Sequence, residues 1–167
     1  MQKMKLPAIK GIQIHNQREK ESETNPDINY EDSHLNYDLI NGQKQIDYKE
    51  KIDQIIAENV TSNKAIRKDA VRLSEFLITS DKEFFDKIPP SEAKRYFETA
   101  YEFLADRYGE KNLIYATVHN DEKTPHMHVG FVPVTEDGRL SAKDFFGQKS
   151  KLVSLQDDFN KFLKEND

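Results

Sequence analysis

The chain contains no cysteine, which excludes disulfide bonds, thiolate metal sites and thiol nucleophiles. It has no apolar run near the roughly 20 residues needed to cross a bilayer. Its first residues also lack the apolar core of a secretory signal, so a cytoplasmic home is the expectation. A basic excess is missing too: 25 Lys and Arg stand against 30 Asp and Glu, for a net charge of -5. Taken as an average, that sign speaks mildly against a nucleic-acid partner, but the distribution of charge matters more than its sum. There are no repeats and no low-complexity stretches. What remains is a polar chain of 167 residues, 36% hydrophobic and 33% charged, which predicts one domain spanning residues 1–167, large enough to bury a core.

Helical and strand patterns alternate along it. Pro7 can open a helix whose face carries Ala8, Ile12, His15 and Glu19, although Gly11 weakens it. Residues 25–32 read as loop, and Ser33 to Ile40 as a strand closed by the Asn41-Gly42 turn. Tyr48 to Asn59 is an amphipathic helix with Ile52, Ile55 and Ile56 inward. Thr61 to Lys68 is a polar, basic connection or short helix. Ala70 to Thr79 is a strand, followed by a capping box, Ser80 with Glu83, for a short helix. Pro89-Pro90-Ser91 introduces a long helix to about Tyr108, stopped by Gly109. Asn112–His119 and His126–Val134 are strands, with a further turn at Asp137-Gly138. A final helix from about Lys151 places Leu152, Leu155, Phe159 and Phe162 on one stripe. Strands separated by helices, with one clear hairpin, predict an α+β sandwich: an antiparallel-rich central sheet flanked by helices in two or three layers.

The hairpin carries the chemistry. The segment H-N-D-E-K-T-P-H-M-H holds His119, His126 and His128, three of the chain's five histidines. Alternate residues of a strand face the same way, so His126 and His128 share a face, and His119 can meet them from the partner strand. An H-x-H alone is often surface decoration. A third histidine at hairpin distance, with Asp121 and Glu122 in the turn, points instead to a site for one divalent metal ion. Structural zinc usually has four protein ligands, often thiolates, whereas three imidazoles leave positions open for water or substrate oxygens. Ligand softness favours Mn, Zn, Ni or Co over Mg.

Basic residues cluster at Lys64, Arg67, Lys68 and Arg72. Helical faces carry such charges routinely; beside an open metal site they also suit a phosphate backbone. A metal-assisted phosphodiesterase using activated water and a non-cleaving, metal-dependent DNA-binding module both remain compatible with these features.

The combination resembles a known family. H-x-D-E-x-x-P-H-x-H, together with M-Q-K-M-K at the N-terminus, H-N-x-R from His15, S-H-L-N-Y-D-L from Ser33 and S-N-K-A-I-R-K-D-A-V from Ser62, is similar to the blocks of the plasmid mobilization relaxases of the Mob/Pre (MobV) type, within the wider HUH endonucleases. The blocks occur in the family's order over nearly the whole chain.

The resemblance implies an endonuclease that nicks one strand at a plasmid transfer origin in a bacterium and stays covalently attached to the 5′ end. Carried over by position, His119, His126 and His128 match the metal ligands, with manganese or magnesium the implied ion. Glu122 matches the motif's acidic residue, for acid/base work or for orienting a ligand. His15 matches the histidine nucleophile of this group; His34, Tyr37 and Tyr30 are its competitors. Arg18 and Arg67 match phosphate contacts, while Asn36 and Tyr37 would shape the site or touch DNA. An HUH replication initiator or transposase is the rival reading, but those place a tyrosine on a helix after the metal hairpin, and the last helix here has none.

Family chains commonly begin several residues earlier and continue into helical oligomerisation and membrane-association segments. The expectation is therefore an isolated relaxase domain, monomeric or weakly dimeric, that acts on single-stranded or hairpin origin DNA without membrane contact.

Overall fold

In the computed structural model, which describes residues 1–166, five strands form one antiparallel sheet between two layers of helices. The strands are β1 (Gln2–Lys5), β2 (Tyr37–Asp38), β3 (Val71–Thr79), β4 (Leu113–His119) and β5 (His126–Phe131), in the order β1-β3-β5-β4-β2. The helices are α1 (Leu6–Gln17), α2 (Tyr48–Asn59), α3 (Lys82–Lys87), α4 (Pro90–Tyr108), α5 (Ala142–Phe146) and α6 (Lys149–Glu165). The α+β expectation holds, in its three-layer form.

Strand alternation divides the core in two. On one face Phe76, Ala116, Val118, Met127, Val129 and Phe131 pack with Phe97, Phe103 and Leu104 of α4 and Phe146 of α5, and Phe159 and Phe162 of α6 cover Phe103. On the other, Met4, Leu73, Tyr115 and Val132 meet Ile9 of α1 and Tyr48, Ile52 and Ile55 of α2. The register pairs His119 with His126 and Thr117 with His128, so the polar end of the second face sits on the β4–β5 hairpin.

Several local expectations shift. The Ser33–Ile40 strand is instead a 3-10 helix, Tyr30–Leu35, followed by only two residues of β2. There Asn29 accepts from Glu31 N–H and Asp38 from Ile40 N–H, local bonds that compete with a strand, while Asn36 accepts from Asn120 N–H of the hairpin turn. The inward face of α1 is Ile9, Gln13 and Asn16, one position round from the expected stripe, which leaves His15 half-buried at the margin. The cap of α3 is Asp81, accepting from Phe84 N–H, rather than Ser80. The strand after the histidines ends at Phe131, and α5 was not foreseen at all. By contrast, α2 and the Gly109 stop after α4 fall where expected, Gly109 at φ 86°.

Candidate metal centre

His119, His126 and His128 converge on one face of the hairpin, with ring centroids 5.1–5.2 Å apart in each pair. Each ring has one nitrogen committed to an acceptor. His119 donates from Nε2 to the Asn16 carbonyl at 3.0 Å, and His126 from Nδ1 to the Thr124 carbonyl at 2.9 Å. His128 donates from Nδ1 to Glu75 Oε1 at 2.9 Å. Carbonyl and carboxylate oxygens only accept, so these bonds fix the tautomers and leave His119 Nδ1, His126 Nε2 and His128 Nε2 as free lone pairs.

Two of those lone pairs, His119 Nδ1 and His126 Nε2, lie 3.3 Å apart with no proton between them. The third, His128 Nε2, is buried without a partner. Nitrogen lone pairs turned on one another in a buried place fit a cation. Burial, helped by the Arg18 charge, pushes the His119 imidazole down to about 2. Burial lowers His126 as well. Neutral imidazole is the form a metal requires.

Side-chain ligand atoms lying within 4.8 Å of one another form two overlapping sets, His15 with His119 and His128, and His119 with Glu122 and His126. His15, at the margin of α1, thus joins the cluster: its ring stands edge-on to His119 at 5.3 Å and to His128 at 5.5 Å. Burial first and the Arg18 charge second lower its proton affinity, keeping it neutral. Glu122 Oε1 is 3.8 Å from His119 Nδ1 and 3.7 Å from His126 Nε2.

The turn that presents these groups is organised by Asp121, a residue that sequence reasoning left without a role of its own, together with Arg18, Asn36 and Ser33. Asp121 accepts from Arg18 Nε (2.9 Å) and Nη2 (2.8 Å), Ser33 Oγ (2.7 Å) and Asn36 Nδ2 (2.8 Å). These donors hold its carboxyl well below the usual carboxylate range, against the opposing effect of burial. Arg18 also donates to Glu122 Oε1 at 2.7 Å and to the His15 carbonyl at 2.7 Å. It reaches them because it closes α1 in the left-handed conformation, φ 49°, a strained position for a residue with a Cβ. Its side chain is only 8% exposed, so Arg18 is placed as the strut joining α1 to the hairpin.

Asn36 bridges the same turn, its Oδ1 accepting from Asn120 N–H at 2.7 Å. Tyr37 packs on the opposite core, and burial pushes its phenol up to about 12. Lys64, Arg67 and Lys68 lie exposed in the α2–β3 connection; Arg67 pairs with Asp69, and none of the three bonds to the histidine cluster. His34 is exposed on the 3-10 helix, its Nδ1 donating to the Glu31 carbonyl.

Glu75, absent from the expected site, is the largest omission. It sits buried on β3 diagonal to His128, and also accepts from the Tyr115 hydroxyl. The available signal was a carboxylate in mid-strand within V-R-L-S-E-F-L-I-T, an acid that must be paired if buried.

The profile of one known family, plasmid recombination enzyme (Mob_Pre), matches residues 1–167. Plasmid recombination enzyme type 1 of Staphylococcus aureus is 54% identical over 155 residues, 93% of this chain and 38% of that protein. The plasmid recombination enzyme of a Bacillus species is 52% identical over 165 residues, covering 99% and 39%. The chain thus spans under two-fifths of the length of these relatives. Among solved structures, the MobM relaxase domain bound to plasmid pMV158 oriT DNA, in a manganese-bound crystal at pH 6.8, superposes with a TM-score of 0.93. That match has 44% identity and covers 99% of this chain and 84% of that one. A second crystal of that domain, bound to a 26-nucleotide oriT DNA, superposes at 0.82 with 39% identity. With sequence, fold and the histidine hairpin in agreement, this chain belongs to the plasmid recombination enzyme (Mob_Pre) family.

Proposed function

We propose that this chain is the nicking domain of a plasmid mobilization relaxase. In this reading it cuts one strand of a transfer origin by transesterification, through His15, in the bacterial cytoplasm. The observation that carries the reading is the packing of three imidazoles, each with one free nitrogen, beside a fourth imidazole, His15, whose ring makes no hydrogen bond among the described residues. The relative's crystals with manganese and oriT DNA support both the ion and the substrate class.

His119, His126 and His128 would hold one divalent ion, manganese by that likeness, which would supply positive charge to stabilise the scissile phosphate. The chain's own residues do the rest. Neutral His15 offers a lone pair to phosphorus; the N–P bond forms as the P–O3′ bond breaks, leaving a free 3′-hydroxyl and a 5′-phosphoramidate on His15. Glu122, facing the cluster, would take the proton His15 sheds and pass it to the leaving 3′ oxygen, which departs as the hydroxyl. Arg18 fixes Glu122 and the His15 carbonyl together, so nucleophile and acid keep one geometry. Lys64, Arg67, Lys68 and Asn36 are the proposed DNA contacts, with the strand unpaired at the nick.

A non-cleaving binder needs no unbonded imidazole beside the centre, and α6 offers no tyrosine for an initiator-type reaction. The test is incubation with supercoiled plasmid carrying candidate origins and Mn2+. Relaxed circles bearing a protein adduct support the reading; binding without relaxation at any origin overturns it.

A further inference from the structure

We infer that His15 has a second station: in the domain without DNA it serves as a fourth imidazole ligand, so that the metal holds the nucleophile idle until a phosphate displaces it. This rests on the proposed metal centre but adds to it a resting state and a preference among ions.

The geometry points to this arrangement. The ligand atoms of His15, His119 and His128 lie within 4.8 Å of one another. Any two nitrogens on a tetrahedral ion with bonds of about 2.1 Å stand roughly 3.4 Å apart, so a shift on the order of an ångström closes the set. His119 and His128 each have only one nitrogen left to give, and both face His15 edge-on at 5.3 and 5.5 Å between centroids. Among the described residues the His15 ring has no hydrogen-bond partner that would have to be given up. Its backbone is pinned by Arg18 Nη1, so the ring can turn while its anchor stays.

One competitor for the fourth place is present. Glu122 stands 3.7 Å from His126 Nε2 and 3.8 Å from His119 Nδ1, but Arg18 and Asn25 both donate to its carboxylate. Those bonds oppose its transfer to a metal, whereas nothing holds back the imidazole.

A consequence for ion choice follows. Four nitrogen donors make a closed site of the kind Zn2+ and Co2+ accept as tetrahedral, and affinity for nitrogen rises from Mn2+ through Co2+ towards Cu2+. An imidazole whose lone pair is on a metal cannot attack phosphorus. Zinc and cobalt should therefore load tightly and keep His15 captive, while manganese releases it readily.

The test is metal binding by the DNA-free domain, with titration calorimetry for Zn2+ and Mn2+ and the visible absorption of Co2+. The intact chain should give the intense Co2+ band of four-coordinate geometry. His15→Ala should weaken Zn2+ binding roughly tenfold or more, the scale on which even outer-shell losses are felt, dim or shift the Co2+ band, and change Mn2+ binding little. Glu122→Gln should leave the band in place, and circular dichroism reports whether each variant is folded. Adding origin single strand should alter the Co2+ spectrum of the intact chain and not that of His15→Ala. Unchanged Zn2+ affinity and Co2+ spectrum in folded His15→Ala, or a band lost in Glu122→Gln instead, would overturn the inference. Nicking through His15 could survive that result; absence of any metal binding by the intact chain would instead remove the proposed function itself.

Discussion

At the scale of single residues, the site is held by polar side chains with little freedom to change. Asp121 faces Arg18 with its side chain fully buried and satisfied by three different residues. Asp121→Asn removes one of the two carboxylates paired with Arg18 and leaves Glu122 as the other, so it should cost about 1–3 kcal/mol of stability. Urea unfolding with and without metal measures this. A loss under 1 kcal/mol would mean that solvent reaches Arg18. His119 and Glu122 were legible as site residues because the motif spacing and the hairpin period put them there. Asp121 was visible only as an acid in a turn, and Glu75 not at all, since its partner lies 53 positions away and pairs with it only once β3 lines up beside β5.

Among the elements, the β4–β5 hairpin was the most readable, since alternation alone aligned three histidines. The 3-10 helix at Tyr30–Leu35 was the least readable: residues 35–39 alternate as in a strand, and the bond from Glu31 N–H to Asn29 and the contacts of Asn36 with the distant Asn120 and Asp121 leave only two residues paired. For α1 the turn count was right but the buried face was one residue off, because Gln13 and Asn16 go inward to bond backbone and carboxylate rather than to bury apolar area. Gly130 on β5 is a further requirement. A Cβ there would fall inside the ring of Tyr115, whose hydroxyl steadies Glu75 and through it His128. Gly130→Ala should destabilise the domain by about 1–3 kcal/mol and also weaken metal binding, whereas Tyr115→Phe should mainly do the latter. Calorimetric titration of both variants checks the order; intact metal affinity in folded Gly130→Ala would break the proposed link.

For the whole molecule, the buried neutral histidines couple stability to pH. Burial holds the folded His119 well below its ordinary range, while an unfolded one takes its proton near 6.5. Between the two the unfolded chain binds more protons, so stability is fully present above pH 6.5 and is lost as pH falls, by about 1.4 kcal/mol per pH unit for this group. His15 and His126, lowered in the same direction, add to the slope. The melting temperature of metal-free protein should drop from pH 7.5 to 5.0, and Mn2+ should raise it at pH 7.5 far more than at pH 5.0. A flat profile would show that the cluster is hydrated in solution.

Charge at this scale is also uneven. The net -5 coexists with exposed Lys64, Arg67 and Lys68 in one connection. Arg67→Ala should lower the log–log salt slope of origin binding by roughly one, measured by fluorescence anisotropy; an unchanged slope would remove Arg67 from the DNA contacts.

The most direct measurement is of the covalent adduct formed with an origin oligonucleotide and Mn2+, resolved on a denaturing gel. With His15 as nucleophile the link is a phosphoramidate, so the adduct should fall apart in mild acid, survive mild alkali, disappear in His15→Ala and persist in Tyr37→Phe. An acid-stable adduct that remains in His15→Ala and is lost with a tyrosine would contradict the account.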